Sequence, residues 1–382
     1  MHLLFFQNCI SPHQMPYIEA LARLPEVSLI RVIAPRGNYD ERASMGWTDP
    51  LAQGDGPASP KLQVTVDPSI EEVRRWLREA VAVAQGSPTP VCLFSGISAF
   101  PEVYEWFRAS LKFDVRRAVI TEAPFTFQHP MWMHRLRFAL RDWRYVRRVH
   151  FVFAIGQGCA DYYASWSKRW KVVPFLYCTQ GMTDDLQKAV EACKQRSERE
   201  AAVCRIAFVG AIDRRKNVGL LIDALERMAL EDAGALRRCQ VTIVGDGPER
   251  EALQWHSREV GLSGTVRFVG VKPMAETQRI LAEQDYLVLP SLHDGWGAVI
   301  NEALTLGVWP LCSDHCGARQ IIEQDVNGQV FPLNDVPALT ALLEQAVQRL
   351  PQVQASRDER IRWAKQHISP DAVARIVMDA VS

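Results

Sequence analysis

Short, largely apolar runs recur along the first half of the chain and are separated by turn residues and by longer polar segments. Continuous apolar runs of this length are typical of parallel strands that are covered on both faces. They predict strands at Leu3–Phe6, Val27–Ala34, Val91–Phe94, Arg117–Thr121 and Phe151–Ile155. Segments 69–85 and 101–110, which lie between some of these strands, are predicted helices.

The C-terminal half repeats this alternation and ends in predicted helices at 335–350, 356–366 and 370–381. Its predicted strands are Arg205–Val209, Val241–Val244, Val266–Val269 and Tyr286–Leu289. Strands that alternate with helices predict an α/β protein with parallel sheets. At roughly 150 residues per domain, the 382 residues predict two domains, and the polar segment 184–200 is predicted to connect them.

One stretch, 285–302, combines a strand, an acidic glycine loop and a helix. The first amides of a helix have no internal partner and carry about half a positive charge, so this arrangement favours an anion. Gly295 and Gly297 would let a ligand approach the backbone closely. Asp294 and Glu302 frame the loop, which by itself indicates a phosphate-bearing ligand with hydroxyl groups. A solvated helix face is the alternative interpretation of Glu302.

A second candidate anion site follows the strand at Arg205–Val209. Arg215 and Lys216 stand just before a predicted helix, where cations are unfavourable unless an anion lies between them and the helix. Asn217 is the predicted N-cap of that helix. The later segment Gly245-D-G-P-E is not a dinucleotide fingerprint, because Arg250 stands where the third glycine belongs.

These segments together resemble the retaining glycosyltransferases of the GT-B superfamily, family 4, also described as glycosyl transferases group 1. The resemblance is carried by Asp294-G-W-G-A-V-I-N-Glu302, by G-A-R-Q-I-I-E and N-G-Q-V-F further on, and by the Gly245 and Lys216 segments. The hallmark of the family is a Glu, seven residues and a second Glu, and Asp294 takes the first position here. Ala211 stands where relatives carry an Arg, so Arg215 or Arg214 is expected to supply that charge.

The resemblance implies a GT-B fold, that is, two facing Rossmann-like, doubly wound domains with a cleft between them. Residues 1–180 would form an acceptor-binding domain, to which a crossover helix at 368–382 returns. Residues 200–367 would form the domain that binds a nucleotide-sugar. The expected activity is metal-independent transfer of a sugar to a hydroxyl acceptor with retention of configuration, in the assembly of bacterial surface polysaccharide or another glycan.

The resemblance also implies roles for individual residues. Arg215 and Lys216 would contact the donor diphosphate, Glu302 the ribose hydroxyls and Asp294 the hydroxyls of the donor sugar. Further donor-binding positions are Gly210, Val271, Gly295, Trp296, Gly297, Ala298 and Val299. A UDP-sugar is favoured over a GDP-sugar as donor, and neither a permanently bound cofactor nor a metal is expected.

Two residues of the N-terminal half are candidates for the acceptor side. His13 follows the first strand, in a loop whose Ser11, Pro12 and Pro16 match the family's S-P-Y-R-x-P-L pattern. Glu122 ends a later strand, where relatives carry a His-Asp pair, and would orient the acceptor hydroxyl or act as its base. The alternatives are a loop histidine bonded to backbone and a helix-capping glutamate. The long loop 36–60 is predicted to face the acceptor.

A basic amphipathic helix is predicted between His134 and Val149. One stripe carries Arg137, Arg141, Arg144 and Arg148, and apolar residues occupy another stripe. Such a helix can lie on an anionic membrane surface, and membrane-bound, lipid-linked acceptors are frequent in the family. Peripheral contact with the inner face of a membrane is therefore one prediction, and a solvated helix face is the other.

Composition and charge exclude several other classes of protein. The net formal charge is zero, so no overall field attracts nucleic acid. No apolar run reaches the length of a membrane span. Nine cysteines, an odd and scattered number, form no disulfide framework and favour a reducing cytosol. The motif Cys312-S-D-H-Cys316 lacks the second ligand pair that a zinc site needs.

Two other functions are compatible with the same fold. A nucleotide-sugar epimerase of GT-B type would need acid and base carboxylates but no acceptor. A non-catalytic GT-B scaffold would bind no donor, and the departures at Ala211 and Asp294 keep this alternative open.

Overall fold

The computed structural model describes residues 1–37, 59–84, 88–97, 99–122, 132–133, 136, 139–140, 147–199 and 203–382. These residues form two compact units. The first contains the described residues up to Thr179 together with Pro370–Ser382, and the second contains Gln180–Ser369. Each unit is built on its own parallel sheet, which confirms the predicted α/β class with two doubly wound domains.

The first unit has a seven-stranded parallel sheet in the order β3-β2-β1-β4-β5-β6-β7. Its strands are β1 (His2–Phe6), β2 (Leu29–Ala34), β3 (Leu62–Val66), β4 (Val91–Ser95), β5 (Arg116–Glu122), β6 (Phe151–Ile155) and β7 (Lys171–Phe175). Its helices are α1 (Met15–Arg23), α2 (Ile70–Val83), α3 (Pro101–Ser110) and α4 (Gln157–Ala164). The order reverses between β1 and β4, and such a switch point is where open α/β sheets bind ligands.

Strand β3 is an edge strand that the sequence analysis did not predict. Its sequence, L-Q-V-T-V, alternates between apolar and polar residues and only Leu62 is buried, so it lacks the continuous apolar run of a central strand.

Helix α2 begins at a capping box. The Ser69 hydroxyl accepts a bond from the amide of Glu72, whose carboxylate accepts one from the amide of Ser69.

The C-terminal helix, Pro370–Val381, packs against α1 in the first unit. Its apolar face is fully or almost fully buried and includes Val373, Val377 and Val381. At its end, the ammonium of Lys171 donates to the carbonyl oxygens of Asp379 and Ala380, at 3.2 and 2.8 Å. Burial of these valines is the main contribution of the helix to the stability of the unit.

The second unit has a six-stranded parallel sheet in the order β10-β9-β8-β11-β12-β13. Its strands are β8 (Cys204–Val209), β9 (Cys239–Val244), β10 (Val266–Gly270), β11 (Tyr286–Leu289), β12 (Trp309–Ser313) and β13 (Gln329–Phe331). Its helices are α5 (Asp184–Arg199), α6 (Val218–Glu231), α7 (Ala233–Leu236), α8 (Arg250–Glu259), α9 (Met274–Ala282), α10 (Val299–Thr305), α11 (Val336–Gln348), α12 (Leu350–Ala355) and α13 (Arg357–His367). The switch point lies between β8 and β11.

Helix α5 corrects the prediction that segment 184–200 is a polar connection. The segment is helical as far as Arg199, and Leu186, Val190 and Cys193 form a buried face at spacings of four and three residues. Its high charge concealed this narrow apolar stripe. The helix predicted at 335–350 is present as α11, which ends at Gln348, and a separate helix, α12, begins at Leu350.

Candidate functional site

The predicted donor-site residues of the second unit gather at the carboxyl ends of β8 and β11, on either side of the switch point. Gly210 follows β8, and Asp294 lies in the loop after β11. The two loops are joined directly, because the amide of Leu292 donates to the carbonyl of Arg215 at 2.8 Å. The motifs that the sequence placed 78 residues apart therefore form one surface.

Lys216 and Asp294 form the charged centre of this surface. The Lys216 ammonium donates to Oδ2 of Asp294, and the two side chains are 13% and 12% exposed. Arg215 lies at the rim, with its guanidinium 3.9 Å from the same carboxylate oxygen and bonded to the carbonyl of His293 at 3.3 Å. Two cations thus converge on the Asp294 carboxylate, and a second carboxylate, that of Asp213, lies 3.9 Å from the Arg215 guanidinium.

The Lys216 loop is held by its own carboxylate rather than by a helix cap. The amide of Lys216 donates to Oδ1 of Asp213 at 2.8 Å. Asn217 occupies the N-cap position in a left-handed conformation with φ of 54°, but its side chain makes no capping bond. The prediction that Asn217 caps α6 is therefore wrong for the side chain.

The loop after β11 is fixed by the segment 313–317. The amide of Asp294 donates to the carbonyl of His315 at 3.1 Å, and its own carbonyl accepts from the amide of Gly317 at 3.0 Å. The Trp296 indole is 2% exposed and donates to Oδ1 of Asn301 at 2.7 Å. Trp296 therefore serves as an internal anchor and offers a ligand little of its ring.

Gly297 is required by packing inside the protein. Its φ is 90°, and a Cβ at this position would lie 2.7 Å from Sγ of Cys316 and 2.9 Å from Cδ2 of Leu289. A side chain would be strained by the backbone conformation and would also overlap its neighbours. The glycine is explained by these contacts without any ligand.

Glu302 lies in the first turn of α10 and is half-buried. Burial raises the pKa of its carboxyl from 4.5 to about 7. Within the described part of the chain, its carboxylate makes no hydrogen bond or ion pair. Such a group gains most from a ligand that brings hydrogen-bond donors to it.

The remaining predicted donor positions lie on the same edge of the sheet or close to it. Val271 follows β10 and is 42% exposed. Gly245 packs against Gly210 so closely that a Cβ on Gly245 would lie 1.9 Å from the Gly210 carbonyl oxygen. Ala298 occupies the N-cap position of α10, and Val299 is its first residue. Because α10 has seven residues, its dipole is a minor part of the field at this edge.

His13 and Glu122 lie in the first unit, on the edge where its strands end. Glu122 is the last residue of β5 and is exposed. Its Oε1 accepts a bond from the Tyr177 hydroxyl at 2.5 Å. The carbonyl of His13 accepts from the amide of Cys178 at 3.1 Å, and the rings of His13 and Tyr177 lie 5.9 Å apart. The sequence analysis did not single out Tyr177.

Several predictions lie wholly or partly outside the described residues. In the predicted basic helix these are Arg137, Arg141 and Arg144, whereas Arg148 is described and exposed. Leu136 and Leu140 of the same segment are exposed, as are Trp132 and Met133 just before it, whereas Val149 at its end is buried. Most of the loop 36–60 also lies outside. No helix in the described part of the chain combines the length and apolar character that a membrane span needs.

The sequence predicted that the cysteines form no disulfide framework. All nine are free thiols and buried. Among the described residues, one group of three could hold a metal ion. It consists of Asp223, Glu226 and His256, whose ligand atoms lie within 4.8 Å of one another. None of the three is a predicted site residue.

Comparison with known proteins shows sequence similarity over part of the chain and structural similarity over all of it. Residues 193–364 match the model of the family described as Glycosyl transferases group 1. Over 183 residues the chain is 31% identical to the amylovoran biosynthesis glycosyltransferase AmsK of Erwinia amylovora, covering 45% of this chain and 44% of AmsK. Over 159 residues it is 28% identical to the lipopolysaccharide core biosynthesis glycosyltransferase LpsE of Rhizobium meliloti, covering 42% and 43%.

The chain thus spans less than half the length of these two relatives. The structural likeness extends further along the chain. The structure of HepE from Anabaena, in complex with UDP, matches with a TM-score of 0.67 and 16% identity, covering 100% of this chain and 99% of HepE. Over residues 193–364 the chain therefore matches the glycosyl transferases group 1 family, and its fold is shared with the solved structure of HepE.

Proposed function

We propose that the protein transfers a sugar from a nucleoside diphosphate-sugar to a hydroxyl acceptor, with retention of anomeric configuration. The observation that carries the proposal is the convergence of Lys216 and Arg215 on Asp294 at the switch point of the second unit. The relatives AmsK and LpsE support an acceptor that belongs to a bacterial surface polysaccharide or lipopolysaccharide. HepE, which was also solved with UDP-glucose, supports a UDP-sugar as donor.

In the proposed reaction, the bond between the anomeric carbon and the diphosphate oxygen breaks, and its electron pair leaves with the diphosphate. The acceptor oxygen forms the new bond to the anomeric carbon. Its proton passes to the departing diphosphate or, if Glu122 acts as base, to the Glu122 carboxylate. Negative charge grows on the diphosphate as the bond breaks, so fixed cations beside it lower the barrier.

Lys216 and Arg215 would stabilise this growing charge. An ammonium group has three donors, so Lys216 can keep its bond to Asp294 and still contact a phosphate oxygen. The second carboxylate oxygen of Asp294 would accept from hydroxyls of the donor sugar. Glu302 would accept from the ribose hydroxyls, and the backbone at Val271 would hold the base.

No metal ion is needed in this proposal, because the two cations take the place that Mg²⁺ has in other phosphate sites.

Contact with the inner face of a membrane is the second part of the proposal. It is supported by the exposed Trp132, Leu136 and Leu140, which share a segment with Arg148. Apolar side chains flanked by arginines suit the surface of an anionic bilayer.

The test begins with thermal unfolding in the presence of UDP-, GDP- and ADP-sugars, with and without EDTA. A ligand that binds only the folded state raises the melting temperature by mass action. We expect one UDP-sugar to raise it and EDTA to leave the shift unchanged. The stabilising donor is then incubated with octyl glycosides, and the products are analysed by mass spectrometry and by NMR for anomeric configuration.

The other outcomes are equally specific. An epimerase would release a free, epimerised sugar nucleotide without any acceptor. A non-catalytic scaffold would show no shift with any donor. An inverted product would contradict retention, and a shift abolished by EDTA would contradict metal independence.

A further inference from the structure

We infer that Tyr177 is a positioning residue that holds the Glu122 carboxylate toward a sugar hydroxyl of the acceptor. The inference rests on the proposed function, since it assigns a part of the acceptor site. Tyr177 and Glu122 lie 55 residues apart in the chain, and the Tyr177 hydroxyl donates to Oε1 of Glu122 at 2.5 Å. A bond of this length between a hydroxyl and a carboxylate is a strong, charge-assisted one.

The strand register explains how the two side chains meet. Glu122 at the end of β5 pairs with Ile155 of β6, which in turn pairs with Phe175 at the end of β7. Neighbouring strands lie about 4.8 Å apart, so β5 and β7 are separated by roughly 10 Å. Tyr177 follows Phe175 by two residues, and a tyrosine side chain is long enough to reach across the end of β6. A shorter side chain at position 177 would not reach Glu122.

Tyr177 is itself fixed on both sides. Before it, the ring of Phe175 is buried and makes edge contacts with Tyr17 and Phe153, at centroid distances of 5.6 and 5.2 Å. After it, the amide of Cys178 bonds to the carbonyl of His13. The Tyr177 hydroxyl therefore has a defined position, and Glu122, which is exposed, takes its orientation from it.

Among the described residues, the Tyr177 hydroxyl is the one hydrogen-bond donor to the Glu122 carboxylate, which leaves acceptor capacity on it. An ionised carboxylate has two oxygens and about four lone-pair sites, of which Tyr177 occupies one. Glu122 lies at the carboxyl end of β5, and open α/β domains bind their ligands at this edge of the sheet. The ring of His13 flanks Tyr177 at 5.9 Å and brings a second polar group to the same place. This chemistry fits a hydroxyl-rich ligand such as a glycan.

The experiment compares Tyr177→Phe in two backgrounds, wild-type and Glu122→Ala. Transfer is measured from the donor that stabilises the protein to octyl β-glucoside, octyl β-galactoside and octyl α-mannoside. Tyr177→Phe removes one hydroxyl and keeps the ring, and loss of positioning predicts a roughly tenfold fall in kcat/KM for the acceptor. In the Glu122→Ala background, which has no side-chain acceptor for the Tyr177 hydroxyl, the same substitution should change kcat/KM less than twofold, because its effect passes through Glu122.

Two controls separate positioning from structural damage. Tyr163→Phe removes the hydroxyl of a neighbouring tyrosine, which lies 3.4 Å from Thr121 and is not bonded to Glu122. It should stay within twofold of wild type. The Kd of the donor, measured by calorimetry, should be the same in all variants, whereas a general distortion of the fold would weaken it.

Equal losses from Tyr177→Phe in both backgrounds would overturn the inference, and so would wild-type kinetics in that variant. A wild-type protein that binds its donor but neither binds nor glycosylates any of the three glycosides would overturn the sugar hydroxyl as ligand. Failure of the proposed function has a different signature, namely no donor binding at all, and the inference then falls with it.

Discussion

The Lys216 ammonium donates a hydrogen bond to the Asp294 carboxylate, and only 13% and 12% of the two side chains are exposed. A pair in this position contributes little net stability while both partners are present, but removing one leaves a poorly solvated charge. Asp294 also stands where the motif that this stretch resembles begins with a Glu. The shorter side chain keeps its contact with Lys216, so the departure from the pattern leaves the charged centre intact.

Lys216→Ala is therefore expected to lower turnover at least tenfold, because the diphosphate loses the cation that stabilises its growing charge. It should also lower the free energy of unfolding by about 1–3 kcal/mol, since Asp294 is left with only the more distant Arg215. Steady-state kinetics and urea unfolding measure the two effects. Lys188→Ala, at an exposed position of α5, is the matched control and should match wild type in both. Wild-type turnover in Lys216→Ala would contradict the assigned role.

Gly297→Ala is expected to destabilise the second unit through sterics alone. The new methyl group would meet the Cys316 sulfur and the Leu289 side chain, and φ of 90° strains any residue with a Cβ. Together these effects should cost about 2–4 kcal/mol in the free energy of unfolding.

Gly264→Ala is the control for this substitution, because a Cβ there meets nothing within 4 Å. It should change stability by less than about 0.5 kcal/mol. Adding Cys316→Ala to Gly297→Ala removes one of the two clashes and should recover part of the loss in thermal unfolding. No recovery would show that the backbone strain and the contact with Leu289 dominate.

The C-terminal helix allows a comparison of burial with surface charge in the first unit. Val377→Ala removes methyl groups from a fully buried position and should cost about 2 kcal/mol. Arg23→Ala breaks the ion pair with Asp371, a 2.8 Å contact in which the two side chains are 57% and 68% exposed. It should cost less than about 1 kcal/mol. Urea unfolding of both variants checks the order, and a larger loss in Arg23→Ala would contradict it.

Most of the central strands of the two sheets were predictable because buried parallel strands are continuously apolar, as in Tyr286–Leu289. The candidate donor residues were proposed from the resemblance and from the glycine loop before a helix, and the loops that carry them meet at the switch point of the second sheet. The direct bond between Lys216 and Asp294 did not follow, because side-chain distances depend on register and loop conformation. Helix α5 was missed although Leu186 and Val190 carried a helical spacing, because its charge masked them.

The contact between Tyr177 and Glu122 could not be predicted from the sequence. Tyr177 stands in a loop with no periodic pattern and no motif, and it gains its partner only because β5, β6 and β7 are in register. Glu122 could be proposed from its place at a strand end. The residue that orients it could not, because 55 positions separate the two and no local rule joins them.

Glu302 gives a prediction in which pH is the variable. In the unfolded chain its carboxyl ionises near the ordinary value of 4.5, whereas in the folded protein burial raises its pKa to about 7. Between these values the folded state binds more protons, so this group lowers stability as pH rises from about 4.5 to about 7 and no further above that. Glu302→Gln should remove this fall, which we expect to amount to about 1–3 kcal/mol.

Donor binding should show the opposite dependence on pH. Ribose hydroxyls donate to the ionised carboxylate, so the bound donor lowers the pKa of Glu302 and releases a proton. The Kd of UDP-glucose, whose diphosphate does not titrate in this range, should therefore fall between pH 6 and pH 8 in wild type. In Glu302→Gln it should be weaker and independent of pH, whereas Glu251→Gln, an exposed glutamate of α8, should behave as wild type. Calorimetry in two buffers of different ionisation enthalpy measures the proton directly, and equal heats in both would show that Glu302 does not hold the ribose.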